Sequence, residues 1–377
     1  MKVGLVTCWY KNVSIANYSC NLSKALSSHV DLKIVSAPCV CWKRFVGEED
    51  IFQADCSFSS FPPYLPSLET SYAPRILRPL IFLLRSLFQF LRGFSYRSKC
   101  KDCDVIHYQQ SSAFQFGVIP LYALFAIPTS KIRIVTVHWL QPLNRLKFFY
   151  NSYKHADRII VHSNDMKEKI ASFGVSPSKI EIVPHGTSLP PLMGLSRKEI
   201  TFFGAPTEGK GFSTILEAIK ILKEQGQEVR LHIYGIYSEE EKTKAINDAT
   251  EIGVDHSLIW EGRLSEADFD RKMQESLFTL ACYSSYVSGS SIVTRAMGNA
   301  TPIIASKVGG IPEQLGKGGL LIGPNDPKQL ALEITRLINN ATLRQRLSKE
   351  GRKKAESFSW NAIADRIYQI YYECMLR

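Results

Sequence analysis

Two rhythms of apolar residues alternate along this chain. Short runs dense in Val, Ile and Leu, namely VGLVTCW (3–9), VDLKIVSA (30–37), DVIHY (104–108), IRIVTVH (132–138), DRIIVHS (157–163) and KIEIVPHG (179–186), read as strands buried on both faces. Between them the spacing is helical: Ile15, Tyr18, Leu22, Ala25 and Leu26 share one face, as do positions in FGVIPLYALFA (116–126), LNRLKFFYNSYKHA (143–156) and NDMKEKIASFG (164–174). The last of these is capped by Ser163 or Asn164 and stopped by Gly174. Residues 187–198, with Pro190 and Pro191 and no period, read as a linker.

A second alternating series follows. EITFFGA, VRLHIYG, HSLIWEG, LFTLACY, PIIAS and GLLIGPND read as strands, and GFSTILEAIKILKEQG, SEEEKTKAINDATEIG and LSEADFDRKMQES as the helices between the first of them. Three helices end the chain, the last being WNAIADRIYQIYYECML (360–376). Strand–helix–strand repetition of this kind builds doubly wound parallel sheets, so the fold class is α/β with two Rossmann-like domains. The boundaries read as 1–190 for the first domain, joined by a C-terminal helix at 358–377, and 191–357 for the second.

Tyr283 to Glu313 carries the densest chemistry. A turn of small residues, Ser284, Ser285, Ser288, Gly289, Ser290 and Ser291, leads into the helical pattern IVTRAMG, then the strand PIIAS and the turn VGG. A Ser/Gly loop entering a helix presents unpaired N–H groups and hydroxyls at the positive end of the helix dipole, a ready phosphate site. Capping alone explains the same composition.

Charge separates the halves. Residues 1–190 hold 22 Lys/Arg against 12 Asp/Glu, and 191–377 hold 24 against 23, so most of the net +11 belongs to the first half. That half is expected to meet something acidic, or to present a solvated basic face. From Arg75 to Phe94 a wide apolar face carries Arg78, Arg85 and Arg92 on a narrow stripe, which reads as a helix lying on an anionic membrane surface, with a core helix as the alternative. No recognition helix or aromatic-interleaved basic strand set points to nucleic acid. The nine cysteines are scattered and the chain opens on a strand, which suggests free thiols in a cytoplasmic protein. Cys100 and Cys103 form a single CxxC with no second pair, so no metal is implied.

ADRIIVHSNDMKEKI…KIEIVPHG, FFGAPTEGKGFSTILEAIKIL, RAMGNATPIIASKVGGIPE and GPND occur in the order and separations of motifs in the retaining GT-B glycosyltransferases of family 4, and the chain resembles that group over nearly its whole length. The resemblance implies a nucleoside-diphosphate sugar held mainly by the second domain, an acceptor held by the first, and reaction in the cleft between them. It places Lys210 as the diphosphate-binding lysine and His138 near the transferred sugar, these two being the catalytic candidates. Donor-binding candidates are Gly204, Lys210, Ser288, Gly289, Ser290, Ser291, Arg295, Gly309, Gly310 and Glu313; Ile15, Ala16, Asn17 and Tyr18 stand on the acceptor side. No cofactor beyond the donor is implied. The acceptor is expected to be a glycan or lipid-linked molecule of cell-surface polysaccharide or glycolipid synthesis, with UDP or GDP as the carrier and the protein peripheral to the membrane.

The chain departs from the family at its signature. Two glutamates eight positions apart are usual, and here Arg295 and Val287 occupy those positions. NVSIANY replaces the expected GGIARY, and Ala205 stands where an arginine is common. Two readings follow: a serine-rich variant in which Ser288–Ser291 and Arg295 bind diphosphate, or a binding or regulatory subunit, paired with an active transferase, that has lost donor chemistry.

Overall fold

The structure is a computed structural model that describes residues 1–7, 14–36, 57–59, 87, 90–91, 93–110, 121, 124–125, 128–138 and 149–377. Arg78, Arg85 and Arg92, and with them most of the expected membrane helix, lie outside the described residues. Contacts divide the chain into two units, Met1–Pro184 with Trp360–Arg377, and His185–Ser359.

In the first unit β1 (Lys2–Val6), α1 (Ser14–Leu26), β2 (Asp31–Val35), β3 (Ser57–Ser59), β4 (Val105–Gln110), β5 (Ile132–Val137), β6 (Arg158–Val161), α2 (Asn164–Ser172) and β7 (Ile180–Ile182) follow in order. The sheet runs β3-β2-β1-β4-β5-β6-β7 and every pairing is parallel. The period of two along a strand sorts its residues. Ile106, Tyr108, Val135, Val137, Ile159 and Val161 bury on one face. Val105, Ile134 and Ile160 bury on the other, where the closing helix Trp360–Met375 covers them with Ile363, Ile367, Ile370 and Tyr371. Burying each such Ile contributes about 1.5–3 kcal/mol, so the closing helix is held by its apolar stripe.

Local signals set the ends. Ser163 is the cap of α2, its Oγ accepting from the Met166 N–H at 3.3 Å, and Gly174 follows the helix at φ +80°. The α-helix expected over 143–156 is, in its described part, a tighter 3-10 turn at Phe149–His155. There the Ala156 N–H reaches back only to Tyr153 O, and Asp157 N already joins Arg133 O, so the chain turns directly into β6.

The second unit contains β8 (Glu199–Phe203), α3 (Phe212–Glu224), β9 (Leu231–Tyr234), α4 (Glu239–Glu251), β10 (Leu258–Gly262), α5 (Glu266–Glu275), β11 (Ser276–Ala281), α6 (Ser291–Gly298), β12 (Ile303–Ser306), α7 (Ile311–Leu315), β13 (Leu320–Ile322), α8 (Pro327–Asn339) and α9 (Ala341–Glu356). Its parallel sheet has the order β10-β9-β8-β11-β12-β13, with the reversal between β8 and β11. Residues 187–198 form no helix or strand beyond a single bridge at Thr187. They are fastened to this unit by Thr187 Oγ1 donating to Thr294 O at 3.1 Å and Met193 N to Gln274 Oε1 at 2.8 Å.

Candidate active site

Loops leaving the carboxyl ends of adjacent parallel strands converge where strand order reverses. In the second unit these are the loop after β8, with Gly204 and the turn Glu208–Lys210; the loop 282–290 after β11; the double glycine after β12; and the GPND turn after β13. They are stitched together. Ser284 Oγ donates to Glu208 O at 2.7 Å, Asn325 Nδ2 to Ser284 O at 3.4 Å, and Gly310 N to Val287 O at 3.2 Å. Two glycines make this closeness possible. A Cβ on Gly211 (φ +66°) would lie 1.4 Å from Cys282 O, and one on Gly309 (φ +48°) 1.9 Å from Val287 O.

Lys210 Nζ lies 3.2 Å from the Tyr283 phenol oxygen and 4.6 Å from the centre of its ring. Among the described residues no carboxylate forms an ion pair with Lys210. The buried Tyr283 oxygen is also 2.8 Å from Ser290 Oγ, and that oxygen accepts from the Val293 N–H at 3.3 Å, capping α6. Ser290 N donates to Gln314 Oε1 at 2.9 Å, which ties the loop to α7. The first-turn N–H groups of Ser291 and Ile292 have no partner within α6, as at any helix start. A lysine, a helix N-terminus and an ordered loop thus share one strand-end site, suited to an anion with several oxygens.

The donor-side candidates divide. Gly204, Lys210, Ser288, Gly289, Ser291, Gly309 and Gly310 belong to these loops or open α6, while the buried Ser290 turns its hydroxyl inward as cap and tyrosine partner. Arg295 corrects an expectation. Its guanidinium faces α5, with Nε 3.0 Å from Asp270 Oδ1, Nη2 2.9 Å from Glu266 Oε2 and its centre 3.7 Å from the centre of the Phe269 ring. Carboxylates therefore hold the charge that was to join Lys210. Glu313 lies in the first turn of α7, where its carbonyl accepts from Lys354.

On the first unit, His138 ends β5 with both ring nitrogens engaged by protein. Nε2 donates to Gln109 Oε1 at 2.8 Å, and Nδ1 lies 3.0 Å from His162 Nε2, a contact that is a hydrogen bond only when one of the two rings carries a second proton. His162 Nδ1 donates to Val183 O at 2.9 Å, because a carbonyl can only accept. Gln109 continues the chain to His107, which also meets Thr136 Oγ1 at 2.7 Å and Tyr371. Burial holds the His107 imidazole down at about 3, so it is neutral. A bond from the His138 ring to a sugar would have to replace one of these partners. Of the acceptor-side quartet, Ile15, Ala16 and Tyr18 are buried, Tyr18 edge-on to His138 at 4.5 Å, and only Asn17 is partly exposed. The helical spacing that buries α1 explains why.

Sequence reasoning missed Gln314, Tyr283, Gln109 and His162. Each is an ordinary residue in a strand-end or helical pattern, and its partner lies far along the chain. Cys100 and Cys103 pack their thiols against Gly4, and among the described residues no group of three or more His, Cys, Asp or Glu could hold a metal ion.

Two doubly wound parallel sheets with these strand-end loops define a GT-B glycosyltransferase fold. Two family models match, Glycosyltransferase Family 4 over residues 15–189 and Glycosyl transferases group 1 over residues 194–354, and the chain belongs to that family. It is 27% identical over 337 residues to the MMP alpha-(1->4)-mannosyltransferase of Mycolicibacterium hassiacum, covering 83% of this chain and 79% of that one. It is 25% identical over 290 residues to the phosphatidyl-myo-inositol mannosyltransferase of Mycobacterium leprae, covering 72% and 73%. Among solved structures it resembles a sucrose-phosphate synthase from Thermosynechococcus elongatus, with TM-score 0.76 and 17% identity over 100% of this chain and 99% of that one. It also resembles Anabaena HepE in complex with UDP, with TM-score 0.73 and 15% identity over 99% and 100%.

Proposed function

We propose that this glycosyltransferase moves a hexose-type sugar from a nucleoside-diphosphate sugar to a glycan or lipid-linked acceptor, with retention at the anomeric carbon. The observation that carries the reading is Lys210, poised beside an ordered loop and the start of α6 and, among the described residues, paired with no carboxylate. In this reaction the bond from the anomeric carbon to the diphosphate oxygen breaks. The acceptor oxygen bonds the same face of that carbon, and its proton passes to the departing diphosphate. Negative charge grows on the leaving group, and a fixed cation with backbone N–H donors stabilises it more than the ground state. Since the leaving phosphate itself takes the proton, the absence of acids at Val287 and Arg295 does not exclude the chemistry.

UDP as the carrier is supported by the UDP and UDP-glucose complexes of the Anabaena neighbour, with GDP as the alternative carrier. A cytoplasmic, membrane-peripheral place fits the basic first half, and no helix among the described residues is long and apolar enough to cross a membrane. The second reading, a binding subunit of another transferase, draws on Arg295, whose ion pairs fill the place of a signature glutamate.

Nucleotide release from UDP- and GDP-hexoses, measured with and without a lipid-linked acceptor, separates the two. Acceptor-dependent release abolished by Lys210→Ala supports transfer. Binding of a sugar nucleotide with no release under any acceptor supports the subunit reading.

A further inference from the structure

The excess of positive charge in the first half has a locus at the edge of the first unit's sheet opposite His138. A cavity of about 400 Å³ opens there, where β5, β6 and β7 begin side by side, lined by Lys131, Arg133, Asp157, Arg158 and Lys179 among others. Five cationic side chains, Lys131, Arg133, Arg158, Lys179 and Arg377, share the lining with one carboxylate, Asp157, and a second, Glu181, stands 3.6 Å from Arg158.

How each cation is held decides what the cavity can do. Lys131 donates to Cys103 O, and Lys179 donates to Lys154 O at 3.1 Å and Ala156 O at 3.0 Å. Carbonyls fix the direction of these ammonium groups without neutralising them. An ammonium has three N–H donors, so each lysine keeps at least one for another partner. Arg133 meets Asp157 at 3.4 Å, and that carboxylate also accepts the Arg133 backbone N–H at 2.7 Å. Arg158, only 5% exposed, has its Nε 3.6 Å from Glu181 and makes no hydrogen bond there. Its Nη1 donates to Asp157 O at 3.0 Å, so the buried Nε N–H is the donor left without a hydrogen bond, and leaving it so is costly unless a further acceptor completes it.

We propose that this cavity is a second anion site, which takes a phosphate or diphosphate group, distinct from the strand-end site of the second unit. Phosphate matches the donors because its oxygens accept from several N–H groups at once, and guanidinium and ammonium groups bind it by charge-assisted hydrogen bonds. The phosphate belongs either to a soluble molecule or to a lipid headgroup at a membrane surface.

The test uses the full chain carrying Lys210→Ala, so that the second unit's lysine does not contribute. Inorganic pyrophosphate is titrated calorimetrically into this protein and into the same protein with Lys131→Gln and Lys179→Gln. Glutamine keeps a donor for the carbonyls, so both proteins should melt within a few degrees of each other, and Lys131→Arg with Lys179→Arg restores the charge. The proposal expects pyrophosphate binding that weakens about tenfold or more in the glutamine pair and returns in the arginine pair. Equal binding by all three, or none at millimolar pyrophosphate, overturns it. Flotation with phosphatidylglycerol vesicles, against phosphatidylcholine controls, separates the sources. Charge-dependent flotation that the glutamine pair loses assigns the site to lipid headgroups, whereas pyrophosphate binding without such flotation assigns it to soluble phosphates.

Discussion

The Lys210 ammonium stands 4.6 Å from the centre of the Tyr283 ring, and Nζ is 3.2 Å from the phenol oxygen of the same residue. Tyr283 ends the strand region that precedes the serine loop, so this contact joins the turn after β8 to the loop after β11. It orients a cation through a neutral partner and leaves the charge available to a ligand.

Tyr283→Phe tests that role. It keeps the ring and removes the oxygen that meets Lys210 and Ser290. Loss of such a buried hydrogen bond costs about 1 kcal/mol, so binding of a nucleoside diphosphate should weaken by a factor of roughly five, well short of the loss from Lys210→Ala. Equal losses from both changes would show that the tyrosine binds ligand itself.

Gly211→Ala should be far harsher. The added Cβ would lie 1.4 Å from Cys282 O at a φ of +66°, so the turn carrying Lys210 has to move away from β11. We expect about 2 kcal/mol or more of destabilisation together with weaker nucleotide binding, read by calorimetric melting and titration. A melting temperature like that of the wild type would show that the turn relaxes freely.

Arg295 is predicted to serve stability. Arg295→Ala removes the cation from the exposed Glu266 and from Asp270, which keeps its bond from Asn299 Nδ2, and uncovers Phe269, so the second unit should lose roughly 1 kcal/mol. Diphosphate binding should change less than twofold. A tenfold loss of binding with unchanged melting would return the arginine to the donor site.

Acid should weaken the first unit through His107. Its folded pKa, near 3, lies below the ordinary value of 6.5, so above pH 6.5 both folded and unfolded forms are neutral and the contribution is complete. As the pH falls from 6.5 toward 3 the unfolded chain takes up a proton that the native one refuses, and stability falls by about 1.4 kcal/mol per pH unit for this one group. His107→Gln should lower stability at neutral pH, through lost contacts to Thr136 and Tyr371, yet flatten the slope between pH 6.5 and 4. An unchanged slope, measured by denaturant unfolding at several pH values, would place the titration elsewhere.

The sequence carried the sheets plainly. Runs such as IRIVTVH and EITFFGA are buried on both faces, and continuous apolarity over a strand's length is the mark of a parallel sheet. Gly309 was legible as part of a tight turn, and at φ +48° it leaves no room for a Cβ, whereas Lys210 stands out only through the order of the motifs around it. The role of Arg295 was not legible, because a helical position fixes where a side chain starts and its partners on α5 lie about 25 residues earlier in the chain. Gln314 and the ring chain from His138 to His162 were hidden for the same reason. Burial of Ile15, Ala16 and Tyr18 could be read from their spacing, which leaves Asn17 as the partly exposed member of that quartet.

The central claim is that Lys210 and the loop leading into α6 form a sugar-nucleotide diphosphate site. Calorimetric titration of UDP, GDP and their hexose derivatives into the wild type and Lys210→Ala tests it directly. One base should bind at micromolar to millimolar concentration, and the variant should bind about ten- to a hundredfold more weakly, since a charged hydrogen bond contributes roughly 1.5–3 kcal/mol. Absence of binding by the wild type at millimolar concentration, or equal affinity in both proteins, would contradict the account.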